Sequence, residues 1–286
     1  VKISGNPAFL QAWYLKLNDP SANRAFSLRF TGLVSRNGFQ RLAETWAVFS
    51  QKETSGEIAQ FGVKQPHAFS ALRSSGEGGV QIGECVMTDS SSRGLVTAKG
   101  RSIAWDLRFR QRNRSSFNLI PDFVTMTRVL KATALSTAED LLVSGELTLD
   151  GKTPIELTDA PGMQAYHSGK RTGDSWVWSH CNSFVNEKGE PADFVFEGIS
   201  ASAKLAPGLT TPRVSTFYFR YDGKEYAFRS LMDLLHTRSD SSMTEWNIRA
   251  DRGDLSFRGE IRAEHRDFAG MVYEDTDGSL LYSSNS

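Results

Sequence analysis

The densest set of chemically able side chains lies between Asp174 and Phe184, in the run DSWVWSHCNSF. Read as a strand, its alternation puts Trp176, Trp178, His180, Asn182 and Phe184 on one face and Val177, Ser179, Cys181 and Ser183 on the other. An imidazole and an amide among bulky aromatics are what a barrel interior uses to hold an apolar ligand and orient it through a few polar contacts. His180 also has the range for general acid–base work near neutral pH, and burial would favour its uncharged form. The same residues read equally as a structural strand, in which a buried histidine bonds to backbone or to Asn182 and only specifies the core.

A second constellation closes the chain at Gly270–Ser286, GMVYEDTDGSLLYSSNS. Alternation aligns Met271, Tyr273 and Asp275, so a phenol donor and a carboxylate two residues apart could face one cavity. Asp275 and Asp277 beside Gly278 are also ordinary hairpin-turn residues. The candidate catalytic set is therefore His180, Tyr273 and Asp275. The candidate ligand contacts are Trp13, Tyr14, Trp176, Trp178, Asn182 and Trp246, the last on a strand where Trp246 and Ile248 face inward while Glu245, Asn247 and Arg249 face solvent.

Other chemistries lack a starting motif. His67, His167, His236 and His265 stand in unrelated contexts with no HExxH or paired-His spacing, so no metal is expected. The glycines of Gly76–Gly79, GEGG, precede no Lys-Ser/Thr, and no Rossmann pattern occurs, so no nucleotide or other cofactor is expected. A nucleophilic hydrolase would need a serine elbow of the GxSxG type, and none is present.

The elements that must position these residues are strands. In Arg24–Thr31, Phe26, Leu28 and Phe30 oppose Ser27, Arg29 and Thr31. In Arg101–Arg112, Ile103, Trp105, Leu107 and Phe109 oppose Asp106, Arg108, Arg110 and Arg112, which makes the arginines a solvated strand face. Leu141–Leu149 and Leu255–Arg262 alternate likewise. Between such runs stand hairpin signals, among them Arg36-Asn37-Gly38, Asp150-Gly151, Asp222-Gly223 and Asp277-Gly278. Helix is scarce: Pro121–Leu135 is ambiguous, and Ser230–His236 reads as one short helix.

A chain of 286 residues exceeds what one ordinary core fills comfortably, which favours two domains. The stretch PGMQAYHSGKRTGD, from Pro161 to Asp174, reads as the break, giving an N-terminal domain over 1–165 and a C-terminal one over 166–286. Its 33 basic and 33 acidic residues cancel, which removes the field that non-specific nucleic-acid binding requires. No apolar run reaches the length of a membrane span. Two cysteines, Cys85 and Cys181, in no paired pattern point toward a reducing, cytoplasmic setting, although a start without Met is compatible with a removed signal peptide.

The segment Ala12–Thr31, AWYLKLNDPSANRAFSLRFT, resembles the opening of the double-lipocalin-like (calycin-like) family, which includes carotenoid hydratases, tocopherol cyclases and AttH-type proteins. The likeness extends to Trp176, Trp178 and His180, similar to the strand opening that family's second barrel, and to Tyr273 and Asp275. It implies an all-β fold of two lipocalin-like antiparallel barrels in tandem, with an isoprenoid or other lipophile as partner. Some members protonate, hydrate or cyclise such molecules, but a full acid–base set does not align onto this chain.

Three functions follow. The first is a non-catalytic carrier or sequestering protein for a hydrophobic small molecule in a barrel. The second is a cofactor-free hydratase, cyclase or isomerase acting through His180 with Tyr273 or Asp275, or by conformational templating. The third is an interaction module whose barrels are packed solid. Ligand identity and oligomeric state are not encoded in any motif.

Overall fold

Alternation becomes burial along the first four strands, β1 (Phe9–Asp19), β2 (Arg24–Val34), β3 (Arg41–Lys52) and β4 (Ile58–Ala68), which pair antiparallel in sequence order. Their registers align Trp13, Phe30 and Thr45 in one row, Leu15, Leu28, Ala47 and Val63 in the next, and Leu17, Phe26 and Phe49 in a third, all buried. Because side chains alternate, the intervening residues form the opposite face. The computed structural model describes residues 3–76, 78–113, 116–121, 123–124, 132–170, 173–206 and 209–285.

The chain then lays down β5 (Leu72–Ser75), β6 (Gly79–Ile82), β7 (Cys85–Met87), β8 (Ser91–Ala98), β9 (Arg101–Gln111), β10 (Phe117–Asn118), β11 (Ala132–Leu149) and β12 (Ile155–Gly169). These join the first four in one sheet of order β4-β3-β2-β1-β12-β11-β9-β8-β7-β6-β5, with β10 paired to β11. The sheet is a nearly closed antiparallel barrel, and the chain is all-β and lipocalin-like as expected.

Contacts divide the chain into two units. The first comprises Val1–Ser116, Leu135–Arg171 and Glu274–Leu281; the second comprises Phe117–Ala134, Thr172–Tyr273 and Tyr282–Ser286. Residues 161–169, read from sequence as a break, instead continue β12 as strand. The Pro161-Gly162 pair misled because both residue types usually mark turns. Here Gly162 admits a close approach, since a Cβ would stand 2.7 Å from the Lys16 carbonyl oxygen. The β1 ladder begins at Gly162, so Pro161 stands just outside it.

The interior of the first unit is filled from opposite walls. Phe26 meets Trp105 at 6.5 Å between ring centroids, and Trp105 Nε1 donates to Ser92 Oγ at 2.8 Å. Gly94 leaves the space that Trp105 uses, for a Cβ would lie 2.6 Å from its ring. At one end a 3-10 turn, Phe69–Ala71, and Leu72 pack inward over Gly32, where a Cβ would collide with the Leu72 side chain.

The second unit carries β13 (Ser175–Cys181), β14 (Phe194–Ser202), β15 (Lys204–Ala206), β16 (Leu209–Thr210), β17 (Val214–Tyr221) and β18 (Lys224–Phe228). There follow a helix α1 (Leu231–Leu235), β19 (Thr237–Ser241), β20 (Glu245–Arg252), β21 (Leu255–Arg262), β22 (Ala269–Glu274) and β23 (Leu280–Asn285). A four-stranded sheet, β13-β14-β17-β18, and a three-stranded sheet, β19-β20-β21, share a core of Phe196, Phe217, Phe219, Phe228, Trp246 and Ile248. Phe257 stacks on Phe219 at 4.8 Å and on Phe196 at 5.5 Å.

The helix read at Ser230–His236 is observed. Ser230 Oγ accepts from the Asp233 amide and the Asp233 carboxylate accepts from the Ser230 amide, a capping box that starts a single turn. The other candidate segment, Pro121–Leu135, lies mostly outside the described residues. No helix among the described residues is long and apolar enough to cross a membrane.

Candidate functional site

In the first unit, Trp13 and Tyr14 take opposite faces of β1, as neighbours on a strand must. Trp13 points into the barrel and is 3 % exposed, and its Nε1 is buried with no hydrogen-bond partner among the described residues. Its neighbour across the β1–β12 ladder is Tyr166, with ring centroids 5.2 Å apart. Gln11 Oε1 accepts from the Ser4 amide at 2.7 Å, so its NH2 faces Tyr166 and donates to the phenol oxygen at 2.8 Å. One row further, His67 on β4 stands against Gly83, its Nε2 is also buried without a partner among the described residues, and burial lowers its pKa. Thr45 adjoins Cys85, whose thiol pKa is raised chiefly by burial. This end of the barrel therefore holds several polar groups inside an apolar wall.

The barrel is closed at β4 by side chains. Gln65 Oε1 on β4 accepts from the Thr97 amide on β8 at 2.8 Å, and the Arg101 guanidinium on β9 lies 3.7 Å over the Phe61 ring. Among the described residues β4 and β8 share no backbone ladder.

Tyr14 belongs to the outer face. There Arg29 lies between two rings, 5.1 Å from Tyr14 and 5.4 Å from Trp46, and donates to Thr31 at 3.0 Å. Lys64 stands over the same Trp46 at 4.4 Å and pairs with Glu44 at 2.7 Å. His167, on β12, is held neutral by burial and by the Arg29 charge, its pKa lowered to about 4.

In the second unit, the Trp176, Trp178 and His180 face is the one turned away from the phenylalanine core, and Val177 packs against that core instead. His180 and Asn182 are buried, Trp176 is half-buried and Trp178 is 38 % exposed. Phe184, grouped with them by simple alternation, instead joins the core beside Phe194, with ring centroids 4.7 Å apart. The strand ends at Cys181, and past it the period of two no longer holds.

Sequence reading missed the partners of His180. Directly across the sheet from it is Glu197, and next across is Tyr218, 1 % and 2 % exposed. Trp178 Nε1 donates to Glu197 Oε1 at 3.0 Å, and Tyr218 packs on Phe117 at 4.9 Å. Arg220, two residues along β17, pairs with Asp193 at 2.5 Å. An imidazole, a carboxylate and a phenol in one row form a set capable of proton transfer.

Trp246 is buried in the second core, its Nε1 donating to Ser239 at 2.8 Å. Tyr273 donates to Met271 Sδ at 3.7 Å. The Asp275 carboxylate accepts from the Thr276 amide at 2.6 Å within a turn closed by Asp275 N to Ser279 O. That turn belongs to the first unit: Arg36 N donates to the Thr276 carbonyl at 2.6 Å, and Thr276 Oγ1 donates to that of Lys170 at 2.5 Å. His180 and Tyr273 belong to the second unit.

Two open depressions of about 430 and 360 Å³ lie along β20 and β21. Charged residues line both, including Glu245, Arg262 and Glu264 in one and Arg249, Arg258 and Glu260 in the other, and none of the candidate site residues is among their linings. No cluster of three or more His, Cys, Asp or Glu side chains among the described residues could hold a metal ion.

No protein-family model matches this chain, and no curated protein matches it. Among solved structures, it is similar to the crystal structure of a protein described as AttH from Nitrosomonas europaea, with a TM-score of 0.51 at 13 % identity over 96 % of this chain and 88 % of that one. At that identity the likeness is one of fold.

Proposed function

We propose that this protein is a non-catalytic carrier that holds a hydrophobic small molecule inside the barrel of its first unit. The observation that carries this reading is the way the barrel closes. Its interior is walled by Trp13, Phe26, Phe30, Phe49, Trp105 and Phe109, while among the described residues β4 meets β8 through the Gln65–Thr97 bond and not through a ladder. A ladder would have to break cooperatively for a ligand to pass, whereas a side-chain closure can swing aside one bond at a time. The ligand would enter along that seam, between the side chains that wall the interior.

The test is a titration with diphenylhexatriene, a hydrocarbon dye that fluoresces only in apolar surroundings, together with mass spectrometry of solvent extracts from protein purified out of its own host. Saturable fluorescence that quenches the tryptophans, or a lipophile recovered in stoichiometric amount, supports the carrier. A dye that stays dark, with nothing extracted, rejects it in favour of a packed interaction module.

A second reading is favoured by the buried row His180, Glu197 and Tyr218, which would suit a cofactor-free hydratase, cyclase or isomerase. Its substrate would again be apolar, and the row would supply acid and base. Turnover of an isoprenoid that fell by roughly 10²-fold in His180→Gln would favour it over the carrier.

A further inference from the structure

Among the described residues, no acceptor meets the Nε1–H of Trp13 or the hydroxyl hydrogen of Tyr166, its neighbour across the β1–β12 ladder. The indole Nε1–H is buried and has no acceptor among the described residues. For Tyr166 the argument runs through Gln11, whose amide is oriented by the Ser4 N–H on its oxygen. Its NH2 therefore donates, the phenol oxygen accepts, and the phenol hydrogen remains to be placed. The two side chains are ladder neighbours with rings 5.2 Å apart; Trp13 is buried in the apolar interior, and the half-buried Tyr166 packs against it.

Leaving a buried donor unpaired is costly, and native proteins seldom do it without a ligand or a bound water in view. Two donors on adjoining side chains are complementary to an oxygen that accepts from both. We infer that the first barrel recognises a lipophile bearing a carbonyl-type acceptor oxygen, which takes hydrogen bonds from Trp13 Nε1–H and Tyr166 Oη–H. This rests on the carrier reading and specifies the ligand's chemical class. A plain hydrocarbon would fill the apolar wall but leave both donors unpaired, and an alcohol would bring a hydrogen that neither residue can accept as readily.

The experiment compares two probes on the full chain: diphenylhexatriene, which has no acceptor, and a naphthyl ketone dye of the prodan type, which has one. Trp13→Phe removes the N–H while keeping an aromatic ring, and Tyr166→Phe removes only the hydroxyl. Each is expected to weaken ketone binding about tenfold, the worth of one buried hydrogen bond, while hydrocarbon binding stays within about twofold. Unchanged ketone affinity in both variants, or equal loss for both probes, would overturn the inference and leave the carrier standing, with water as the occupant of the donors. If neither probe binds the unaltered protein, the carrier reading itself fails. Should Trp13→Phe lose its folded circular dichroism, Tyr166→Phe decides alone.

Discussion

His180 on β13 stands directly across the ladder from Glu197 on β14, and both side chains are buried on the sheet face opposite the phenylalanine core. Directly opposed residues on antiparallel strands have Cβ atoms about 4.5–5.5 Å apart, close enough for the pair to act as one unit. In a carrier whose site is the first barrel, His180→Gln should leave dye affinity within about twofold and cost about 1–3 kcal/mol of stability, the usual consequence of disturbing a buried polar row. Urea unfolding alongside dye titration separates the two effects. Loss of affinity without loss of stability would move the site to the second unit.

Gln65→Ala removes the side chain that closes β4 on β8. Dissociation of a bound dye should quicken several-fold with little change in equilibrium affinity, because the bond gates passage and does not touch the occupant. Stopped-flow competition measures the rate. An unchanged dissociation rate would place the way in elsewhere.

The arginines of β9 and its end are exposed, but they are not equivalent. Arg108→Gln and Arg110→Gln should change stability by less than about 0.5 kcal/mol, since the partner of Arg110, Asp159, is itself largely in solvent. Arg112 pairs at 2.5 Å with Asp140, which is 1 % exposed. Its replacement by Gln removes the cation beside a buried carboxylate and should cost about 2–4 kcal/mol in chemical denaturation. None of the three changes should alter ligand affinity.

Gly145 lies on β11 at φ +141°, and a Cβ there would run into the Asp106 carbonyl across the ladder. Backbone cannot yield as a flexible side chain would, so Gly145→Ala is expected to destabilise by about 3 kcal/mol or more, adding conformational strain to the clash. A melting temperature close to that of the unaltered protein would show that β9 and β11 can separate cheaply.

His167 should make the first unit acid-sensitive. Its pKa is lowered from 6.5 to about 4 by burial and by Arg29. Below pH 6.5 the unfolded chain takes up a proton that the folded one refuses, so stability is full above that pH and falls towards pH 4. The slope is at most about 1.4 kcal/mol per pH unit. His167→Gln should remove this part of the slope in denaturant midpoints measured from pH 7.5 to 4.5. An identical slope would assign the acid sensitivity to other groups.

Sequence by itself determined what depends on local period and local turn chemistry. Trp13, Phe26, Phe30, Trp105 and Trp246 lie on the inward faces that a period of two assigns, because one face of a half-buried strand must be apolar wherever the other meets water. The short helix at Ser230–His236 and the exposed Arg108 and Arg110 were legible because they too depend on local sequence. Tertiary structure decided the rest. Residues 161–169 are strand despite Pro161 and Gly162 because β1 lies close enough to need a missing Cβ there. Glu197, Tyr218 and Arg220 alternate with phenylalanines along their strands, drew no notice in the sequence, and are buried. Periodicity states which side chains share a face; whether the polar face meets water depends on what folds back over it, and no local pattern records that. For the same reason Trp13 was visible as an aromatic in the wall, but its unused N–H was not. That property depends on what the fold packs beside it, including Tyr166 on β12, more than a hundred residues along the chain.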